Sequence, residues 1–507
     1  MARLHEYQGK AILAASGLAI PRGSAASSPD AAFSAAAALG VPVVIKIQAW
    51  TTGRAAMGGV AFADAPAQAR DAATRMLGMT VGQFPVQHVL VEEKLAIARE
   101  FFVSLSVDDA ARAPVLLLAA SGGTGIEERA ASVHRIPCTL SGPSESSLSA
   151  AIASLALPPA DAAQLAAACR QLFAAAKSVE ARSLEINPLV ITRDGRVVAA
   201  DCRITIDDYA VFRHPELGIE IARELDHPPT PLERIAYRVE QDDHRGTFFF
   251  AQMNVAATPG SRGLVGFHGA GGGGSMMSMD AITAEGFTIA NFCDTSGNPS
   301  PAKVYRAARI ILQQPGLIGY FGSGSGVANQ EQFWSAYGLA KAFWEFDLDI
   351  PAVIRLGGNT EDRAVAILTS ACAGLPAKVE CYRKTDPPAA IARRFAQLVQ
   401  SAEGHAWRPR APRRPDFVTS RAAISFPLKG GRLYIDPAAW TSHAPAIMAR
   451  CNGLLRDAAG HPEPTLPPDA LLAKDSDFIA AEVECRRDNI PGLFVQLDIP
   501  GLEQDAQ

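Results

Sequence analysis

Three times between residues 264 and 358 an apolar run ends in glycines: LVGFH before GAGGGG, LIGYF before GSGSG, and PAVIRL before GGN. Each run is too short for a helix and lacks an alternating polar face, so both of its faces must be covered. Helical patterns separate the runs, through MMSMDAITAEGF and PAKVYRAARIILQQ. Adding TIANFCD and AKVECYRK gives five strands interleaved with helices. That order predicts a parallel, doubly wound α/β sheet. Its glycine loops then fall at the carboxyl ends of strands, the edge where such sheets bind ligands.

Residues 1–235 follow a different rhythm. LHEYQGKAILAASGL reads as a helix closed by Gly17, and PVVIKIQAW, HVLVEEKL, REFFVSLSVD and PVLLLAAS read as strands. SVDDAARAPV has the composition of a hairpin turn, so neighbouring strands there pair antiparallel in an α+β layout. A length of 507 residues leaves room for about three domains. RPRAPRRP at 408–415 reads as an extended, solvated linker. Beyond it, PLKGGRLYI and IAAEVECRRDNIPGLFVQLDI read as hairpins without a chemical motif.

A net charge of −5 and a pI near 6.1 give no electrostatic case for a nucleic-acid partner. No apolar run has the length of a membrane span, and the charged N-terminus does not resemble a signal peptide. Eight scattered cysteines without metal-type spacing are expected to be reduced thiols of a cytoplasmic protein.

Chemistry concentrates first in SLEINPLVITRDGRVVAADCRI, residues 183–204. Closing the pair at Arg193-Asp194-Gly195 sets Val190 opposite Val198, Asn187 opposite Asp201 and Glu185 opposite Arg203. Period-two alternation then gathers Glu185, Asn187, Asp201 and Arg203 on one face. Two acids and an amide oxygen there suit Mg²⁺, which takes one or two carboxylates and completes its shell with water and phosphates. A cross-strand salt bridge on a solvated polar face is the alternative.

Upstream, Lys46 is a lone charge on the apolar strand VVIKIQ, followed by Gly53-Arg54 and Gly58-Gly59. Such a turn can offer N–H groups and a guanidinium to phosphate oxygens. Glu92 ends the strand LVEE and Glu100 opens the next; two acids there can bond a purine amine and ribose hydroxyls.

These features together resemble the ATP-grasp site, in which two α+β lobes clamp ATP. LHEYQGKAIL, VVIKIQAWTTGRAAMGGV, LVEE with AREFF, SGGTGIEE and LEINPLVITRDGRVVAAD resemble the β subunit of the succinyl-CoA synthetase family. The resemblance continues through HGAGGGGSMMSMD, NFCD and AVIRLGGN, to about residue 395. It implies an ATP-grasp domain over 1–240 and a flavodoxin-like CoA-ligase domain over 245–400. A linker over 401–420 and a small extension over 421–507 would follow. It further implies that Lys46, Gly53, Arg54, Glu92 and Glu100 bind ATP (with GTP as the alternative), and that Asn187 and Asp201 hold Mg²⁺. Glu185 would orient a phosphohistidine carried by an α-type partner subunit, which also supplies the CoA-binding domain. His268, Gly322, Ser323 and Gly324 would meet a small carboxylic acid, activated as an acyl phosphate and passed to CoA as co-substrate.

Several positions depart from the family. His268 stands for an Asn, GSGSGVANQ at 322–330 lacks the Arg of the second substrate loop, Ala56 stands for a Lys and Trp50 for a His. A ligase that neutralises a second carboxylate would want that Arg, which argues for an acid other than plain succinate. Ala56 and the extension also suit a non-catalytic subunit. Taken literally, GAGGGG with Asp294 about twenty residues on matches a dinucleotide fingerprint, the mark of an NAD-binding oxidoreductase.

Overall fold

The computed structural model describes residues 1–120, 133–325, 330–402, 404–457, 464–466 and 475–502. The chain divides into two compact units, Met1–Pro229 and Thr230–Gln507. Helix Pro231–Asp242, counted with the first domain in the sequence reading, buries Ile235, Ala236 and Val239 in the core of the second unit.

Among the described residues, the first unit holds an eight-stranded sheet and a four-stranded one, each with its own core. The smaller sheet runs Gly23–Ala26, Val89–Glu93, Val43–Ile47, Val60–Ala63, antiparallel throughout. Helices Pro29–Leu39 and Pro66–Leu77 cover it, burying alanines that let helix and sheet approach closely. In the larger sheet, Ala181–Thr192 lies between Ile97–Asp108 and Arg203–Ile206. The expected hairpin turn joins Ile97–Asp108 to Ala113–Ala119, with Asp108 opposite Ala113. The expected register of the 183–204 pair is also found: Val190 faces Val198 and Glu185 faces Arg203.

The second unit is built on the doubly wound sheet. Its parallel strands lie in the order Asn291–Asp294, Leu264–Ala270, Leu317–Ser325, Ala352–Gly357, Val379–Tyr382. In chain order this is 2-1-3-4-5, the flavodoxin-like arrangement. An unforeseen strand, Phe249–Gln252, adds antiparallel to Asn291–Asp294 at one edge.

Residues 421–502 belong to this same unit. Ile424–Leu428 and Gly431–Ile435 form the expected hairpin, and Leu493–Leu497 extends it to three strands. IAAEVECRR, read as a strand, is instead the body of helix Asp475–Arg487. Acids open that helix and arginines close it, the polarity that complements the helix dipole. Its buried face, with Phe478, Ile479, Val483 and Cys485, joins a core shared with helices Pro301–Ile311 and Gln332–Glu345. At its centre Lys341, with no exposed side-chain area, pairs with Glu345 at 2.6 Å and with Glu482 at 2.7 Å.

The arginine-rich stretch 408–415 is extended and mostly exposed, with surface ion pairs along it and a buried anchor just before it. Arg410 pairs with Asp349 and Arg413 with Asp347, while Trp407 is buried and donates to the Leu312 carbonyl at 2.6 Å. All eight cysteines are free thiols. Among the described residues, no helix is long and apolar enough to cross a membrane.

Candidate nucleotide and metal site

A cavity of about 1020 Å³ in the first unit is lined by Lys46, Gly53, Arg54, Glu92, Glu185, Asn187 and Asp201. The structure thus brings together seven residues drawn from three separate stretches of sequence. Glu100 is not among the lining: it is exposed, on the same strand between Ile97 and Phe102, which both reach the wall.

Helix Glu6–Ala15 contributes two residues that the sequence reading treated only as part of a motif. Glu6 and Lys10 stand four apart on its buried face, with Gly9 between them. A side chain at Gly9 would collide with Cys202, so the glycine lets the helix settle against the Asp201 strand end. Glu6 Oε1 accepts from Lys10 and from Lys46, each at 2.8 Å, and Oε2 accepts from Arg54 Nη1 at 2.7 Å. Lys10 also donates to both Glu92 oxygens at 2.7 Å, and Lys46 lies 3.1 Å from Glu92. The Ala200 carbonyl accepts from Lys10 at 2.9 Å and from Lys46 at 2.7 Å. Arg54 Nη2 reaches both Asp201 oxygens, at 2.9 and 2.7 Å. Three cations therefore meet three carboxylates in one contiguous cluster. Two charges on the apolar face of a helix were the available signal for Glu6 and Lys10, since a buried charge requires a partner elsewhere.

Electrostatics follow from this geometry. Burial pushes the Glu6 carboxyl up, but Lys46, Lys10 and Arg54 outweigh it and hold the group well below the usual carboxylate range. Burial works against the Lys46 ammonium, yet Glu6, Glu92 and Asp201 together raise its pKa. The Glu6 and Glu92 side chains are each only 2% exposed, whereas Asp201 is 32% exposed. Of these three acids, Asp201 is the one an added cation can approach.

Glu92 lines the cavity with its carboxylate paired to Lys10 and Lys46. Beside Asp201, Asn187 donates to Glu185 at 3.4 Å. Among the described residues, no group of three or more His, Cys, Asp and Glu could enclose a metal. One carboxylate and one amide on a cavity wall instead fit a Mg²⁺ that keeps most of its shell as water and phosphate oxygen. The turn carrying Arg54 depends on Gly53 and Gly58 at positive φ, and Gly59 packs against Ile47 where a Cβ would clash. SGGTGIEE, at 121–128, lies outside the described residues.

In the second unit, the residues expected to meet the acid are neighbours: His268 pairs with Gly322, Gly269 with Ser323 and Ala270 with Gly324. Residues 326–329 of that loop lie outside the described residues. His268 itself is buried, with Nδ1 2.6 Å from the Tyr320 hydroxyl and Nε2 2.9 Å from Thr295 Oγ1. Both ring nitrogens are thus engaged by neighbouring hydroxyls. Asp294, the acid of the dinucleotide fingerprint, accepts from the Gly271 N–H at 2.9 Å and from Ser296 Oγ. It secures the loop.

Burial lowers the His268 pKa to about 4, against 6.5 for a free histidine. The folded protein thus binds fewer protons than the unfolded chain between these values. The stability due to neutral His268 is complete above pH 6.5 and falls as pH drops toward 4, by about 1.4 kcal/mol per pH unit. His268→Gln should remove that slope, read as urea midpoints at about pH 7 and about pH 5. An unchanged slope would place the acid sensitivity elsewhere.

Residues 3–191 match the ATP-grasp domain family. The chain is 34% identical over 373 residues to the GDP-forming succinate–CoA ligase subunit beta of Thermus thermophilus, covering 72% of this chain and 93% of that protein. It is 31% identical over 415 residues to the ADP-forming counterpart of Chloroflexus aurantiacus, covering 79% and 99%. Among solved structures, ATP citrate lyase from Methanothrix soehngenii in complex with citrate and coenzyme A aligns with a TM-score of 0.59. That match covers 78% of this chain and 99% of the other at 17% identity, a likeness of fold.

Proposed function

Because the chain belongs to the succinate–CoA ligase β-subunit family of ATP-grasp acid–thiol ligases, we propose that it works as the β-type subunit of an ADP-forming ligase. The substrate in this reading is a carboxylic acid other than plain succinate. An α-type partner subunit would carry the CoA-binding domain and the histidine that is transiently phosphorylated. The observation that carries the reading is the cavity cluster, where Lys46, Arg54 and Asp201 share one wall with Asn187 and Glu185.

Each residue then has a role in keeping with its position. Lys46 and Arg54 bind phosphate oxygens, and the Gly53 turn lets backbone approach them. Asp201 and Asn187 hold Mg²⁺, which supplies charge neutralisation at the transferring phosphoryl group. Glu185, beside Asn187, orients the incoming imidazole. Glu92 acts through Lys46 and Lys10, keeping the phosphate-binding ammonium in place. A guanidinium for a second carboxylate is absent from the described part of the 322–330 loop, which supports an acid lacking that group. Gly322, Ser323 and Gly324 remain the backbone expected to meet it.

The test is co-purification with an α-type chain and incubation with γ-labelled ATP or GTP and Mg²⁺. Label should appear on the partner's histidine and be discharged by CoA with the correct acid. Absence of label with either nucleotide would overturn the ligase reading in favour of a non-catalytic subunit.

A further inference from the structure

The guanidinium of Arg54 is held at its two ends by carboxylates of different character. Nη1 rests on Glu6 Oε2 at 2.7 Å and on the Ile47 carbonyl at 3.2 Å, both inside the protein. Nη2 rests on Asp201, the partly exposed acid of the cluster. Glu6 is fixed in turn, because its other oxygen accepts from Lys10 and Lys46. One end of Arg54 is therefore a pivot and the other end is exchangeable.

We propose that Glu6 is a positioning residue that makes metal and nucleotide binding cooperative. Resting on the nucleotide reading above, the argument is one of partner exchange. When Asp201 serves as a metal ligand, its hold on Arg54 weakens. Nη2 is released while Nη1 stays on Glu6, so the freed N–H groups remain aimed into the cavity and can meet phosphate oxygens. Without the metal, a phosphate that draws Arg54 away leaves Asp201 unpaired beside an anion. Each ligand thus pays part of the other's cost, and the coupling is reciprocal.

Glutamine at position 6 cannot do this work. It has one acceptor oxygen for two sets of cations, so it must abandon either Lys46 or Arg54. The experiment is isothermal titration of the full chain with the ATP analogue AMP-PNP, in EDTA and in excess MgCl₂. In the wild type Mg²⁺ should tighten binding by about tenfold or more, and in Glu6→Gln by about twofold or less. The charge-balanced pair Glu6→Gln/Lys10→Met carries the same measurement, alone if the single variant does not fold. Simple loss of a negative charge favours the free analogue over its less anionic Mg²⁺ complex and so lowers the ratio as well, which is why the charge-balanced pair must show the same fall; a merely structural role would lower the melting midpoint without changing the ratio. An unchanged ratio in the variants overturns the pivot while the nucleotide reading stands. A wild type that binds AMP-PNP without linkage to Mg²⁺ overturns it too. No AMP-PNP binding to the wild type in either buffer overturns the nucleotide reading itself.

Discussion

Asp201→Ala should reduce Mg²⁺-dependent labelling of the partner histidine by about 100-fold or more, a loss of roughly 2.7 kcal/mol in transition-state stabilisation. Glu6 and Glu92 cannot replace it, since both are buried and committed to ammonium groups. The substitution also takes away both oxygens that receive Arg54 Nη2. Folding should survive, because Asp201 lies on a cavity wall and is partly exposed. The label transferred from γ-labelled ATP is the readout, with the melting midpoint as control. Labelling at the wild-type rate would remove Asp201 from the metal site.

Glu482→Ala should destabilise the second unit by about 3–5 kcal/mol, because it strands a buried ammonium. Lys341 would keep only Glu345. Glu482 also accepts from the Val495 N–H at 3.0 Å and from Arg486 at 2.7 Å, so those donors lose a partner as well. Replacing both members of the pair, as Lys341→Met with Glu482→Leu, should recover only part of the loss, since the stranded ammonium is gone but Glu345 and Arg486 each still lack a partner. Urea unfolding of Lys341→Met, Glu482→Leu and the double variant measures the coupling. Additive losses would show that the pair is not linked. A large coupling would tie helix Asp475–Arg487 to the unit's core electrostatically as well as through Phe478, Ile479 and Val483.

The order of elements was legible wherever local pattern and tertiary demand agreed. Apolar runs ending in glycine gave the parallel sheet because a strand buried on both faces has few other compositions available. The 183–204 register followed from a turn and a period of two, and Val190 does face Val198. IAAEVECRR failed because short alternation and a helical face overlap over so few residues; the acids and arginines at its ends carried the better signal. Strand Phe249–Gln252 was missed because an edge strand is defined by the neighbour it pairs with.

By itself, the sequence determined the two architectures, the polar face of the hairpin and the list of residues able to handle phosphate and metal. These depend on periodicity, turn chemistry and residue type, which are local properties. Only the tertiary structure decided which of those side chains are available. Glu92 is neutralised by a lysine 82 positions away, His268 is satisfied by Tyr320 and Thr295, and Arg54 is shared between Glu6 and Asp201. A carboxylate's role depends on what surrounds it once water has been excluded, and that environment is assembled from distant parts of the chain.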